Sequence, residues 1–97
     1  MQEIKLAKKT AKGYVIPVGS WNLVFASTGK GMVSCGAIDV IVLDKFDYPA
    51  ARVKSSTGGK IETIDDLLYG TIKDANDAAK KRGIVEGMSG KEALEKL

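Results

Sequence analysis

The stretch Ser34–Asp44, with the sequence SCGAIDVIVLD, is the part of the chain on which the fold depends. From Ala37 onward it is apolar on nearly every side. Its β-branched residues favour a buried strand, whereas its length also suits a buried helix, and hydrophobic periodicity does not separate the two. Strand patterns precede this stretch and helix patterns follow it, so its assignment fixes the centre of the fold.

The first half of the chain is predicted to consist of short strands joined by turns. Alternating or β-rich stretches bounded by turn residues occur at residues 3–7, 14–18, 21–26, 32–34 and 51–55. Pro17 cannot donate to a strand ladder, so its strand is expected to lie at a sheet edge or to end there. The turn Ser27–Gly31 contains two glycines and predicts a hairpin between the strands on either side.

The last third of the chain is predicted to be helical from its capping residues. Thr63 begins a first helix through a T-x-x-D box, and Thr71 begins a second helix in the same way. This second helix is expected to run to Gly83, which supplies a left-handed cap after three basic residues. Ser89 and Glu92 form a full capping box for a final helix.

Length and composition indicate one globular domain that spans residues 1–97. Hydrophobic residues make up 44% of the chain and charged residues 28%, a balance typical of a packed core rather than of disorder. The net charge is +3, and the positive excess lies before residue 60. Aromatics are 6% of residues and none alternates with the lysines, so a solvated lysine face is favoured over a nucleic-acid surface.

The chain contains one cysteine and no histidine. A single cysteine excludes an intramolecular disulfide and a multi-cysteine zinc site, and the lack of histidine removes the usual general base and transition-metal ligand. No metal and no cofactor is therefore predicted. No apolar run has the length of a signal peptide or of the ~20 residues that span a bilayer, so a cytoplasmic location with no membrane partner is expected.

Three motifs resemble, in the same order, those of the YunC-like family, a small prokaryotic domain of unknown function. They are residues 31–40, with a C-G-x-x-D-V core, residues 63–68 and residues 83–94, and the resemblance extends over about residues 22–97. It implies an α+β fold with no assigned activity. It also implies a helix from about Gly36 to Lys45, against the strand propensity of this stretch. The segment Phe46–Pro49 departs from the family and is expected to alter the exit from that helix.

The expected architecture is α+β. An antiparallel or mixed β-sheet of about four to five strands, built by the N-terminal part, packs against a central helix and C-terminal helices. A domain of this size buries only about two-thirds of the surface that its unfolded chain exposes, so further burial in a homo-oligomer is expected.

The candidate site lies where the predicted central helix would begin. Cys35 at a helix N-terminus would favour the thiolate form and raise the reactivity of the sulfur. Gly36 would let the backbone approach a ligand, Asp39 could orient a water or substrate, and Lys30 in the preceding turn adds a cation. These four residues form the predicted site for a small anionic ligand, and Cys35 and Asp39 are the candidates for catalysis.

Structural roles for the same residues are the favoured alternative. A free cysteine most often acts as a small buried hydrophobe, and Asp39 either caps a backbone or pairs with Arg52. Gly58–Lys60 is a weaker phosphate candidate and is interpreted as a flexible turn. Trp21 is expected in the core or in a subunit contact.

Three functions are compatible with these features, in order of preference. The first is a non-catalytic ligand-binding or interaction module that acts as a homo-oligomer. The second is a thiol-dependent enzyme that uses Cys35, with Asp39, Lys30 or a neighbouring subunit as the base. The third and least favoured is nucleic-acid binding through the basic N-terminal half, for which affinity would fall steeply with salt.

Overall fold

The computed structural model describes residues 1–97 as a six-stranded mixed sheet with four short helices. The strands are β1 Gln2–Lys5, β2 Thr10–Val18, β3 Trp21–Ser27, β4 Met32–Ser34, β5 Ala50–Lys54 and β6 Thr71–Ala75. The helices are α1 Val40–Asp44, α2 Ile64–Tyr69, α3 Asp77–Lys80 and α4 Gly90–Glu95. The strands lie side by side in chain order, and all neighbours are antiparallel except β4 and β5, which are parallel.

One face of the sheet is covered by α2 and α4 and carries the main core. Alternation along β3 places Val24 and Ala26 on this face, and both are fully buried. The two helices bring Leu67 and Leu94 onto the same cluster, and they also contact each other. Burial of these side chains is the main force that holds the helices on the sheet.

The opposite face, here called the outer face, carries α1 over β5. Arg52 lies between two core residues of β5, so its side chain points to the outer face. There it forms a bidentate ion pair with Asp74 and donates from Nη1 to the Gly36 carbonyl oxygen at 3.4 Å. Hydrogen bonding to Arg52 lowers the pKa of Asp74, so this carboxylate remains charged at neutral pH.

The outer side of the β2–β3 hairpin is apolar and open to solvent. Cross-strand register places Tyr14 opposite Phe25, Ile16 opposite Leu23 and, at the end of the same row, Val18 opposite Trp21. The Tyr14 and Phe25 rings stack with centroids 4.9 Å apart. Ile16 is 44% exposed and Val18 is 54% exposed. The five side chains of this row other than Trp21 are called the hairpin face below, namely Tyr14, Ile16, Val18, Leu23 and Phe25.

The α+β fold is confirmed, but the strand count and the length of the central helix differ from prediction. The sheet has six strands rather than four to five. The helix predicted from Gly36 to Lys45 comprises only Val40–Asp44, and a turn precedes it. The reason is the Asp39 carboxylate, which accepts from the backbone N–H groups of the first turn and so starts the helix at Val40.

The helix predicted to begin at Thr71 is wrong, because Thr71–Ala75 is the strand β6. Ile72 and Ala75 are both buried and lie three residues apart, a spacing typical of a helix. A bulge produces the same spacing in the strand, since Asp74 and Ile72 lie opposite consecutive residues of β5. The extra residue is Lys73. Pairing with β5 therefore decides the structure, and the helix starts only at Asp77.

The capping predictions for the other helices are confirmed. Thr63 with Asp66 and Ser89 with Glu92 each form a reciprocal capping box. Gly83 has a φ of 89°, the left-handed conformation expected for its position. No helix in the fold combines the length and the apolar character needed to cross a membrane.

Candidate functional site

Cys35 lies directly after β4 and belongs to the core. Its backbone N–H donates to the Val24 carbonyl oxygen at 2.9 Å, and the residue is 4% exposed. Because α1 begins at Val40, no helix N-terminus stands behind the sulfur. The expectation that a helix dipole activates this thiol is therefore wrong. Cys35 instead packs as a small, buried hydrophobic residue, which was the alternative interpretation.

Asp39 is the N-cap of α1. Its Oδ1 accepts from the Ile41 N–H at 3.0 Å and from the Val42 N–H at 3.2 Å. The alternative that Asp39 caps a backbone is thus confirmed, whereas Arg52 takes Asp74 as its ion-pair partner. Hydrogen bonding to Asp74 is the main cause that raises the pKa of Arg52, and the charge of Asp39 adds a smaller contribution.

Lys30 lies at the opposite end of β4 from Cys35. Residues 31–34 lie between them, and the five residue-to-residue steps along an extended chain correspond to roughly 16 Å. Lys30 instead lines a shallow pocket with two further cations, Lys81 and Arg82, and with the carboxylate residue Asp47. Of the four predicted site residues, Cys35 and Gly36 therefore line one groove, Lys30 lines a different pocket, and Asp39 lines neither.

A groove of about 350 Å³ lies beside Cys35 and Gly36. Its wall is formed by Trp21, Cys35, Gly36, Ala37, Val53, Lys54, Ser55, Gly59, Lys60, Ile61 and Lys73. All of the charged side chains in this set are lysines, and no carboxylate lines the groove. Three cations with no counter-charge in the lining make the groove an electropositive concavity.

The topology of the sheet explains why these residues meet. Strands β4 and β5 are parallel, so their carboxyl ends lie at one edge, where residues 35–37 and 53–55 begin the groove. In open α/β sheets, ligands bind outside the carboxyl ends of the parallel strands, and the groove has the corresponding position for the single parallel pair β4–β5. The bulge in β6 adds Lys73, and the loop after β5 adds Lys60.

Two glycines in the groove have no role in packing. A β-carbon at Gly36 would meet no atom within 4 Å, and one at Gly59 would meet only the Thr57 hydroxyl oxygen at 4.0 Å. Neither residue has a positive φ, so the backbone would accept another amino acid at both positions. The fold therefore does not require glycine at either position. The space beside these two residues is open because the sequence has no side chain there.

Sequence reasoning missed most of the groove. It singled out Cys35 and Gly36 but assigned no binding role to Lys54 or Lys73, because the strand order that brings them together is not visible locally. The Gly58–Lys60 turn was the one available signal. Its loop structure is confirmed, with Gly58 at a φ of 84° and its N–H donating to the Ser55 carbonyl oxygen.

Fold and groove together define a small α+β domain with an electropositive groove at the parallel edge of one mixed sheet. Residues 34–97 match the family described as Domain of unknown function (DUF1805), and the chain belongs to this family. It is 36% identical over 76 residues to the uncharacterized protein YunC of Bacillus subtilis strain 168, covering 78% of this chain and 74% of YunC. The YunC-like resemblance is thereby confirmed.

A solved structure shares the whole architecture. The crystal structure of a protein of unknown function, TA1206 from Thermoplasma acidophilum, superposes with a TM-score of 0.86 at 26% identity. The alignment covers 99% of this chain and 89% of that one. The fold therefore extends over β1 and β2 as well, beyond the residues that match the family.

Proposed function

We propose that this protein is a non-catalytic module that binds a small anion in the groove beside Cys35 and Gly36. The observation that carries the proposal is the lining itself, which contains Lys54, Lys60 and Lys73 and no carboxylate. Cations gathered in a concave site bounded by apolar walls attract an anion more strongly than the same cations spread over a flat surface.

The lining favours binding over catalysis by the thiol. Cys35 presents only 4% of its surface, and the groove offers neither a carboxylate nor an imidazole to accept its proton. The same geometry favours a small ligand over nucleic acid, since the three lysines surround one groove instead of following an extended path.

The anion proposal is tested by neutralising the groove. The triple variant Lys54→Gln, Lys60→Gln, Lys73→Gln is expected to bind pyrophosphate and inorganic phosphate at least about tenfold more weakly than the wild type, by calorimetry at low salt. The matched control replaces the exposed residues Lys8, Lys45 and Lys91 with glutamine, which removes the same charge elsewhere. Equal binding by the two triple variants, or no binding by the wild type, would contradict the proposal.

A homo-oligomer remains part of this proposal, with a second copy seated on the hairpin face. Seven paired residues of β2 and β3 form this surface, which at ~3.4 Å per residue is about 24 Å long. Because β1 pairs only with residues 10–13 of β2, this ladder is two strands and about 10 Å wide, so each copy offers roughly 230 Å² of planar area. Stable interfaces bury about 800 Å² of accessible surface per partner, so the expected dimer is weak and depends on concentration.

The dimer is tested by a charge in the centre of the hairpin face. Ile16→Glu is expected to abolish the rise in sedimentation coefficient that the wild type shows with increasing concentration. Val15→Glu is the matched control, since Val15 is 41% exposed against 44% for Ile16 and alternation places it on the other face of the same strand. A wild type that stays monomeric at millimolar concentration, or equal loss of association in both variants, would rule out this interface.

A further inference from the structure

We infer that the anion bound in the groove carries a planar aromatic ring, the chemistry of a mononucleotide, and that Trp21 is the surface on which the ring stacks. This inference rests on the proposed function. Trp21 is the first residue of β3 and lines the groove, and 39% of its surface is exposed. An indole that is open on one side and bounded by a groove is suited to stacking against a planar ring.

The wall next to Trp21 leaves room for that ring. Gly36 and Ala37 follow Cys35 in the turn after β4, and they line the groove together with Trp21. This wall is thus made of the two smallest side chains, and a β-carbon at Gly36 would point into open space.

Two of the three groove lysines, Lys54 and Lys73, lie on the other side of the groove from Trp21, whereas Lys60 belongs to the loop that Asn22 contacts through the Glu62 carbonyl oxygen. Trp21 belongs to β3, whereas Lys54 and Lys73 belong to β5 and β6. At ~4.8 Å between neighbouring strands, these elements are about 10 to 14 Å away from β3. A ligand that reaches both must hold its ring and its anionic group at opposite ends of a linker, as the sugar of a nucleotide does. A volume of about 350 Å³ suits one such unit.

The chain provides its own probe for this inference, because Trp21 is its single tryptophan. Adenosine monophosphate is expected to change the Trp21 fluorescence and to bind at least about tenfold more tightly than ribose 5-phosphate, the difference being the stacked ring. In the Trp21→Leu variant, followed by calorimetry, the two ligands are expected to bind equally. Gly36→Val is expected to lose the preference as well, while keeping affinity for ribose 5-phosphate.

The possible results distinguish failure of the aromatic-ring inference from failure of the anion-binding proposal. If ribose 5-phosphate binds the wild type as tightly as adenosine monophosphate, the ring inference is overturned and anion binding stands. A preference for adenosine monophosphate that survives in Trp21→Leu also overturns it. If neither ligand binds and pyrophosphate fails too, the proposed function is overturned and the inference with it.

Discussion

Replacing Asn76 with alanine is expected to lower the free energy of unfolding by about 3–5 kcal/mol, a large part of the stability of a small domain. Asn76 is 1% exposed, and its side chain has all four of its hydrogen-bonding positions filled. Its Oδ1 accepts from the N–H groups of Ala50 and Ala79 at 3.1 and 2.9 Å. Its Nδ2 donates to the carbonyl oxygens of Val40 and Tyr48 at 2.9 and 2.8 Å.

These four bonds join segments that make few other polar contacts with one another. Val40 belongs to α1, Tyr48 to the loop after it, Ala50 to β5 and Ala79 to α3. Alanine at position 76 would leave two buried N–H groups and two carbonyl oxygens without a side-chain partner, and an unpaired buried polar group costs about 1–3 kcal/mol. The expected measurement is equilibrium unfolding in urea, with the midpoint shifted and the slope unchanged.

Two variants make the Asn76 prediction specific. Asn22→Ala removes a half-buried asparagine with one bond, to the Glu62 carbonyl oxygen at 3.1 Å, and is expected to cost under about 1 kcal/mol. Asn76→Asp keeps the shape but turns an acceptor toward two carbonyl oxygens, which raises the carboxyl pKa in the folded state above its unfolded value. Its penalty relative to wild type is therefore present at pH 7 and shrinks as the pH falls through that raised pKa. A cost for Asn76→Ala no larger than that for Asn22→Ala would refute the prediction.

The role of Asn76 also shows where sequence reasoning stops. The capping boxes at Thr63 and Ser89 could be predicted because both partners of each bond lie within four residues of each other. Asn76 shares the side-chain chemistry of an N-cap, and it does cap α3, but three of its four bonds go to residues 26 to 36 positions away. Partners at that distance have no local signature.

The strands illustrate the same limit on secondary structure. Alternation and turn residues located β2, β3 and β5, since these signals act within a few residues. The β6 strand was predicted as a helix because its bulge at Lys73 gives buried residues the spacing of a helix. That bulge exists only through pairing with β5, a contact that the sequence does not display.

The same limit applies to the candidate site: local sequence features identify some of its residues, whereas the others are brought together only by the sheet topology. Cys35 and Gly36 could be singled out, since a cysteine and a glycine after a strand stand out in any sequence. Lys30, the cation predicted for the site, does not line the groove, because it is near Cys35 along the chain but lies at the far end of β4. The lysines that do line the groove come from β5, β6 and the loop between α2 and β5, and the sheet topology brings them to one edge.

The second large effect is expected at Gly90, the first residue of α4. A β-carbon there would lie 2.0 Å from the Leu67 carbonyl oxygen and 3.1 Å from its carbonyl carbon. Both are backbone atoms of α2, so no side-chain rotation can relieve the overlap. Helix propensity alone predicts that Gly90→Ala stabilises the protein by up to about 1 kcal/mol. Because the clash requires α2 and α4 to separate over the core, we expect instead a loss of about 3 kcal/mol or more.

Gly36→Ala is the matched control for that prediction, because it is the same substitution at a glycine whose added β-carbon meets no atom within 4 Å. It is expected to change the melting temperature by no more than a degree or two, an effect within about 0.5 kcal/mol, or to raise it slightly by restricting the unfolded chain. A lower melting temperature for Gly90→Ala than for Gly36→Ala would show that packing outweighs helix propensity at position 90. A higher one would show that helix propensity outweighs packing. Equal melting temperatures would mean that α2 and α4 are not in close backbone contact. A much lower melting temperature for Gly90→Ala than for Gly36→Ala would confirm close backbone contact at the crossing of these helices, on the face of the sheet away from α1.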